Sequence, residues 1–249
     1  MSTLLSMRGV VVEHRAAGWW SRPTRAVDGA SLDVAAGEVV AIVGASGCGK
    51  TSLLRAACGI LPRAAGTVAL LGVDPARLGR PPPRAQLLVQ DASGALHPGL
   101  RVREALREAA RVHQPANGEA VASALHAVGL DHRASAYPAE LSGGERRRVT
   151  LACLWLADPL VTLLDEPTAG LDAPRRAEFL DLLMSRHDMS RATVMVTHDL
   201  VAALHACTRV VFMDQGHIVA DHPARDVGAA RHPAARRLLD TLGPVEPAC

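Results

Sequence analysis

Aromatic residues are scarce, at 2% of 249 residues: three Trp, two Phe and one Tyr. Six rings are too few for the stacking platforms on which single-stranded nucleic acid lies. Charge of one sign is lacking too, since 27 basic against 25 acidic residues leave a formal net charge of +2. That balance excludes a chain whose main work is coating a phosphate backbone, so no nucleic-acid partner is expected. No uninterrupted apolar run of about 18 residues occurs, so no membrane-spanning helix is expected. Met1–Arg8 also lacks the charged-then-apolar pattern of a secretory leader. The five cysteines (Cys48, Cys58, Cys153, Cys207 and Cys249) are scattered and odd in number, with no CxxC pair. This argues against a disulfide framework or a zinc site and for a reducing compartment.

What is present starts with lysine, because Lys50 is the one lysine among 27 basic residues. A codon bias toward arginine explains the excess of Arg but not the retained Lys. The two side chains are not interchangeable where a compact point charge must meet a phosphate. Lys50 sits in Gly44-Ala45-Ser46-Gly47-Cys48-Gly49-Lys50-Thr51-Ser52. Ahead of it runs the β-branched segment Val39–Val43, and behind it a helical pattern through Leu53, Leu54, Ala57 and Ile60. Strand, glycine loop and helix in this order have the spacing of a P-loop: Gly44, four residues, then Gly49-Lys50-Thr51. Such a loop turns backbone N–H groups inward as an anion nest at a helix N-terminus. Lys50 would reach the β- and γ-phosphates of a nucleotide, and the Thr51 hydroxyl would ligate Mg²⁺.

A second apolar segment, Leu160–Leu164, runs into Asp165-Glu166-Pro167-Thr168. An apolar strand ending in an acid is the Walker B pattern. Asp165 would hold Mg²⁺ directly or through water, and Glu166 would polarise the attacking water. Further strands are expected at Thr193–Val196 and Arg209–Met213. Val10–Val12, Leu32–Val34 and Thr67–Leu71 suggest an N-terminal antiparallel lobe. From about residue 92 to 157 the texture is Ala- and Leu-rich with helical spacing at Val102, Leu106 and Ala109, then Val121, Leu125 and Val128. Pro81–Pro83 reads as a stiff surface loop.

Between these elements stands Leu141-Ser142-Gly143-Gly144-Glu145, followed by Arg146, Arg147 and Arg148. Alone, a Ser-Gly-Gly turn is an ordinary helix N-cap. In this position it resembles the signature motif of ATP-binding cassette (ABC) ATPases. Three further elements follow the family's order: Gln90 after Leu87-Leu88-Val89 resembles the Q-loop glutamine, Ala169-Gly170-Leu171-Asp172 the D-loop, and His198 the switch histidine, with the P-loop and Walker B already in place. The resemblance spans roughly residues 8 to 222. It implies an α/β fold: a P-loop NTPase (RecA-like) core with an N-terminal antiparallel β lobe and an inserted α-helical subdomain. Residues 1–222 would form one ABC domain, with the helical subdomain near 92–157, and residues 223–249 a short C-terminal extension.

The resemblance also implies function: ATP and Mg²⁺ as cofactors, and transport-coupled ATP hydrolysis. The metal ligands would be Thr51, Gln90 and Asp165; Glu166, His198 and Gln90 would be catalytic. His198 alone would read as a structural histidine; in this motif order it would contact the γ-phosphate. Leu141 to Glu145 and the D-loop Asp172 would serve the nucleotide of a second ABC ATPase subunit, the same chain or a different one. Glu145 stands where the family more often has Gln, which adds a negative charge near a nucleotide, and Ala169 replaces a D-loop Ser. The aromatic that stacks on adenine is open between Trp19 and Trp20, by distance from the P-loop, and His14, by its place after the first strand; a Trp pair could equally be a surface patch.

Three stretches resemble peptide and nickel importers: Ala26–Leu32, Gln90–Pro98 and Arg231–Leu239. The implied partners are two transmembrane permease subunits and an extracytoplasmic substrate-binding protein. The chain would then lie peripherally at the cytoplasmic face of the cell membrane. Leu96 and Leu100, near Gln90, are candidates for the groove that receives the permease. A cassette serving as accessory protein in a soluble enzyme complex is the alternative reading.

Overall fold

The computed structural model describes residues 2–14, 23–89, 96–111 and 118–240. Gln90, Trp19, Trp20 and Cys249 lie outside the described residues. Two sheets and a set of helices make up the fold. β1 (Thr3–His14), β2 (Thr24–Ala35) and β4 (Ala65–Leu70) form an antiparallel sheet in the order β2-β1-β4. The second sheet holds β3 (Val39–Val43), β5 (Ala85–Leu88), β6 (Val161–Asp165), β7 (Ala192–Thr197), β8 (Arg209–Asp214) and β9 (His217–Pro223), in the order β5-β6-β7-β3-β8-β9. Its first five strands are parallel, and β9 returns antiparallel on β8. The β8–β9 turn places Gln215 (φ 45°) and Gly216 (φ 85°) in the left-handed region, the conformation a tight hairpin demands.

Strand β3 shows why these segments fold as they do. All five of its residues are buried, as a continuous β-branched run covered on both faces should be. Its side chains alternate: Val39, Ala41 and Val43 join one apolar cluster, Val40 and Ile42 the other. The second cluster is closed by the antiparallel sheet and by α1 (Lys50–Ala57), through Leu5, Val12, Leu53 and Leu54. The first cluster is closed by the remaining helices: α2 (Val102–Ala110), α3 (Gly118–Ala127), α4 (Gly143–Leu156), α5 (Ala173–Met184), α6 (Leu200–Ala206) and α7 (Pro233–Asp240).

Helices α2, α3 and α4 lie between β5 and β6 in the chain and pack on one another through Val102, Leu106, Val121, Leu125, Val149 and Leu151. In α2 the buried face includes Ala110, with Ala109 only half-buried. Leu96 is 5% exposed and belongs to the core, not to an open groove. The reason is packing: it joins the same apolar cluster as Val102. The Pro81–Pro83 loop likewise buries Pro82. Residues after β9 pack inward, with Ala230 and Ala235 fully buried. Among the described residues no helix is long and apolar enough to cross a membrane.

Leu151 is fully buried at the middle of α4. Leu151→Ala should therefore cost about 3 kcal/mol by lost apolar burial and a residual cavity, read as a lower denaturation midpoint in urea. A midpoint unchanged from wild type would contradict the packing described for α4.

Candidate functional site

Strand order builds the site. β7 lies between β6 and β3, with Val43 beside Thr197 and Asp165 beside Val196. The loops leaving these three strands therefore emerge side by side, at the carboxyl edge where open α/β sheets bind ligands. They carry residues 44–52, Asp165 with Glu166, and His198.

The loop after β3 has two glycines that no other residue could replace without backbone movement. A Cβ on Gly44 would lie 2.2 Å from the Met213 carbonyl oxygen, and one on Gly49 2.0 Å from that of Ala26. Gly49 also has φ 106°, a conformation open to glycine and strained for other residues. The tight loop draws Lys50 into its own centre, 6% exposed. Its Nζ donates to the Gly44 oxygen at 2.8 Å and the Ala45 oxygen at 3.0 Å. A third proton faces the Cys48 sulfur 3.8 Å away, a weak acceptor that an anionic oxygen would displace. Burial pushes the Cys48 thiol above its ordinary pKa, so it stays a neutral thiol beside the ammonium.

Thr51, in the first turn of α1, donates its hydroxyl to Asp165 Oδ1 at 2.8 Å. Asp165 is 2% exposed, and its Oδ2 lies 3.5 Å from Arg55. The Arg55 role is missing from the sequence motifs, although its place one turn after Thr51 on the same helix is a usable signal. Glu166 follows in the left-handed region at φ 49°, uncommon for a side chain of its size. Its N–H donates to the Val196 carbonyl at 2.9 Å, and its Oε1 meets His198 Nδ1 at 3.0 Å. Strain of this kind is found where the surrounding fold fixes a functional group.

Between the 46–52 loop, His14, Glu166 and His198 opens a cleft of about 470 Å³, within the size range of small-molecule sites. His14 forms its edge, with Nε2 2.9 Å from Ser52 Oγ.

The Ser-Gly-Gly turn does not line this cleft. Ser142, Gly143 and Gly144 are exposed at the start of α4. Ser142 Oγ accepts from the Glu145 N–H at 3.2 Å, and Glu145 Oε2 accepts from the Ser142 N–H at 2.8 Å. This is a capping box. The other carboxylate oxygen of Glu145 accepts from Arg133 Nε at 2.7 Å. The negative charge expected beside a nucleotide is therefore already occupied by local donors. Those Ser142 bonds, with Arg133 second, hold the Glu145 carboxyl down at about 2. Leu141 is buried beneath the turn. Asp172 is also exposed and outside the cleft, capping α5 through the Arg175 N–H at 3.0 Å.

The model of the ABC transporter family matches residues 27–169. The sulfate/thiosulfate import ATP-binding protein CysA of Burkholderia mallei is 39% identical over 221 residues, covering 80% of this chain and 60% of that protein. The oligopeptide transport ATP-binding protein OppD of Mycobacterium tuberculosis is 37% identical over 245 residues, 91% of this chain and 40% of that protein. The chain thus spans 60% or less of the length of these two curated relatives. Among solved structures, an ATP-binding subunit of an ABC transporter superposes with a TM-score of 0.78 at 22% identity, over 96% of this chain and 99% of the other. The dimeric ATP-binding cassette MJ0796 bound to ADP and phosphate gives 0.75 at 22% identity, over 88% and 98%. The expected fold is the one observed.

The lowered carboxyl of Glu145 fixes the sign of a pH effect. Its folded-state pKa of about 2 lies below the ordinary 4.5, so its contribution to stability is complete above 4.5 and fades as pH falls through the folded value. Glu145→Ala should melt below wild type at neutral pH, and the gap should narrow toward pH 2. A gap that stays constant in a pH series of thermal melts would contradict this capping role.

Proposed function

This chain belongs to the ABC transporter family, and we propose that it binds Mg²⁺·ATP in the cleft above the carboxyl edge of the central sheet and hydrolyses it to drive an import system. The observation that carries this reading is convergence: Lys50, Thr51 and the Glu166–His198 pair line one cleft, and Asp165 lies behind Thr51, bonded to its hydroxyl.

The donors fit the metal. Thr51 and Asp165 offer hard oxygens 2.8 Å apart, with no sulfur or imidazole between them, which suits Mg²⁺. Gln90 would complete the set. When bound, Mg²⁺ would neutralise charge shared between the β- and γ-phosphates. The chain's own groups do the rest. Backbone N–H groups of the 44–52 loop cradle the phosphates, and Lys50 turns a proton from Cys48 to a phosphate oxygen. Glu166 accepts a proton from the water that attacks the γ-phosphorus as the bond to the bridging oxygen breaks. His198, held by Glu166, donates toward the γ-phosphate. His14 is the one adenine-side candidate among the described residues.

The exposed Ser142, Gly143, Gly144 and Asp172 have no task in their own cleft. We assign them to the nucleotide of a second cassette, the same chain or a different one, so that ATP closes two subunits head to tail. Two permease subunits and an extracytoplasmic binding protein complete the system, with this chain peripheral at the cytoplasmic face. The relatives named above are transport ATP-binding proteins, CysA an import one, which favours this over an accessory role in a soluble enzyme complex. For cargo, sulfate and oligopeptide relatives stand at nearly equal identity. The Ala26–Leu32, Gln90–Pro98 and Arg231–Leu239 stretches favour the peptide or nickel branch.

Glu166→Gln keeps the shape of the side chain and removes its basicity. It should bind ATP as wild type does and lose about 100-fold or more in kcat, with an ATP-dependent dimer accumulating in light scattering. Turnover at the wild-type rate would contradict the assignment of Glu166 as base.

A further inference from the structure

Two arginines outside the recognised motifs grip the segment from Glu166 to Asp172. Arg147, on α4 behind the exposed Ser-Gly-Gly turn, donates Nη2 to the Ala169 carbonyl at 2.5 Å. Arg176, on α5, donates Nη2 to the Leu171 carbonyl at 3.3 Å. Its Nη1 is paired with the Asp199 carboxylate. Asp199 follows His198 directly, and its other oxygen accepts the Ala202 N–H at 3.0 Å, starting α6. The Arg176 and Asp199 side chains are 25% and 19% exposed, so the pair is largely shielded from water and its geometry is stiff.

The contacts form a chain within one subunit. The segment that presents Asp172 outward is tied by Arg176 to Asp199; Asp199 adjoins His198; His198 bonds Glu166, which begins the same segment. We propose that Arg176 is a positioning residue for His198, coupling the outward-facing D-loop to the cleft through Asp199. Displacement of residues 169–172 by a docked partner would pull on Arg176 and so re-aim the imidazole. This rests on the proposed ATPase reading, but the link itself runs within one chain.

Asp199→Asn is the clean probe. Asn still caps α6, while the charge facing Arg176 is gone. In the full-length chain labelled with ¹⁵N-histidine and free of nucleotide, Asp199→Asn and Arg176→Ala should both shift the His198 ring resonances. Both should lower kcat about tenfold or more while leaving the Kd for ATP within about twofold of wild type. The double variant should be no slower than either single one, and Arg176→Lys should recover part of the loss. Unchanged His198 resonances in both variants would overturn the proposal, as would losses that multiply in the double variant. A fall in melting temperature with kcat unchanged would do the same, since it marks a merely structural role. Failure of the parent reading looks different: wild type would then hydrolyse ATP no faster than Glu166→Gln, whatever the His198 ring does.

Discussion

The hydrogen bond from Thr51 to Asp165 joins segments 114 residues apart, and the site depends on it. It pins the first turn of α1 to the end of β6, and so sets the P-loop against the acidic strand end. Asp165 is almost wholly buried, and a buried carboxylate is tolerated only with partners. Thr51 supplies one and Arg55 stands near the other oxygen. The Thr51 hydroxyl, which lines the cleft, and the Asp165 carboxylate behind it make a pair of hard oxygens. A packing requirement and the proposed Mg²⁺ site therefore fall on one contact. The sheet order makes it possible, because inserting β7 between β6 and β3 brings Glu166 and His198 to the same edge.

A second exposed polar face lies outside the cleft, the one proposed above to serve a second cassette. Ser142 and Asp172 each cap a helix, and each stands exposed. Capping gives both a fixed local geometry, as the proposed head-to-tail pairing requires. The paired Glu145 fits this description. Its carboxylate is turned into the cap and onto Arg133, which leaves the backbone at the start of α4 as the polar surface on offer. Arg147 and Arg176 then tie this outward face to the segment that begins at Glu166.

Local patterns were legible in the sequence wherever chemistry and chain direction coincide. Val39–Val43 followed by the glycine loop appears as read, and the strand before Asp165 is shifted by one residue, starting at Val161. The antiparallel lobe was legible as fragments, because Val10–Val12 and Leu32–Val34 are the most apolar parts of two 12-residue strands. What escaped were features set by distant partners. β9 is half-buried and polar in pattern, and it exists because β8 offers it an edge. α7 is short, and its buried alanines carry little signal by themselves. Leu96 looked available because nothing local reveals that the helices close over it. The compensation of Glu145 by Arg133 and the Arg176–Asp199 pair link residues with no sequence motif in common.

The central claim is that the loop around Lys50 holds the phosphates of ATP. Calorimetric titration of the full chain with Mg²⁺·ATP, wild type against Lys50→Ala, addresses it most directly. Removing the ammonium from its place between the Gly44 and Ala45 carbonyls should weaken binding by roughly 2–3 kcal/mol, about 30- to 150-fold in Kd, with the fold intact by circular dichroism. Wild-type affinity in a folded Lys50→Ala chain would contradict the account at its base.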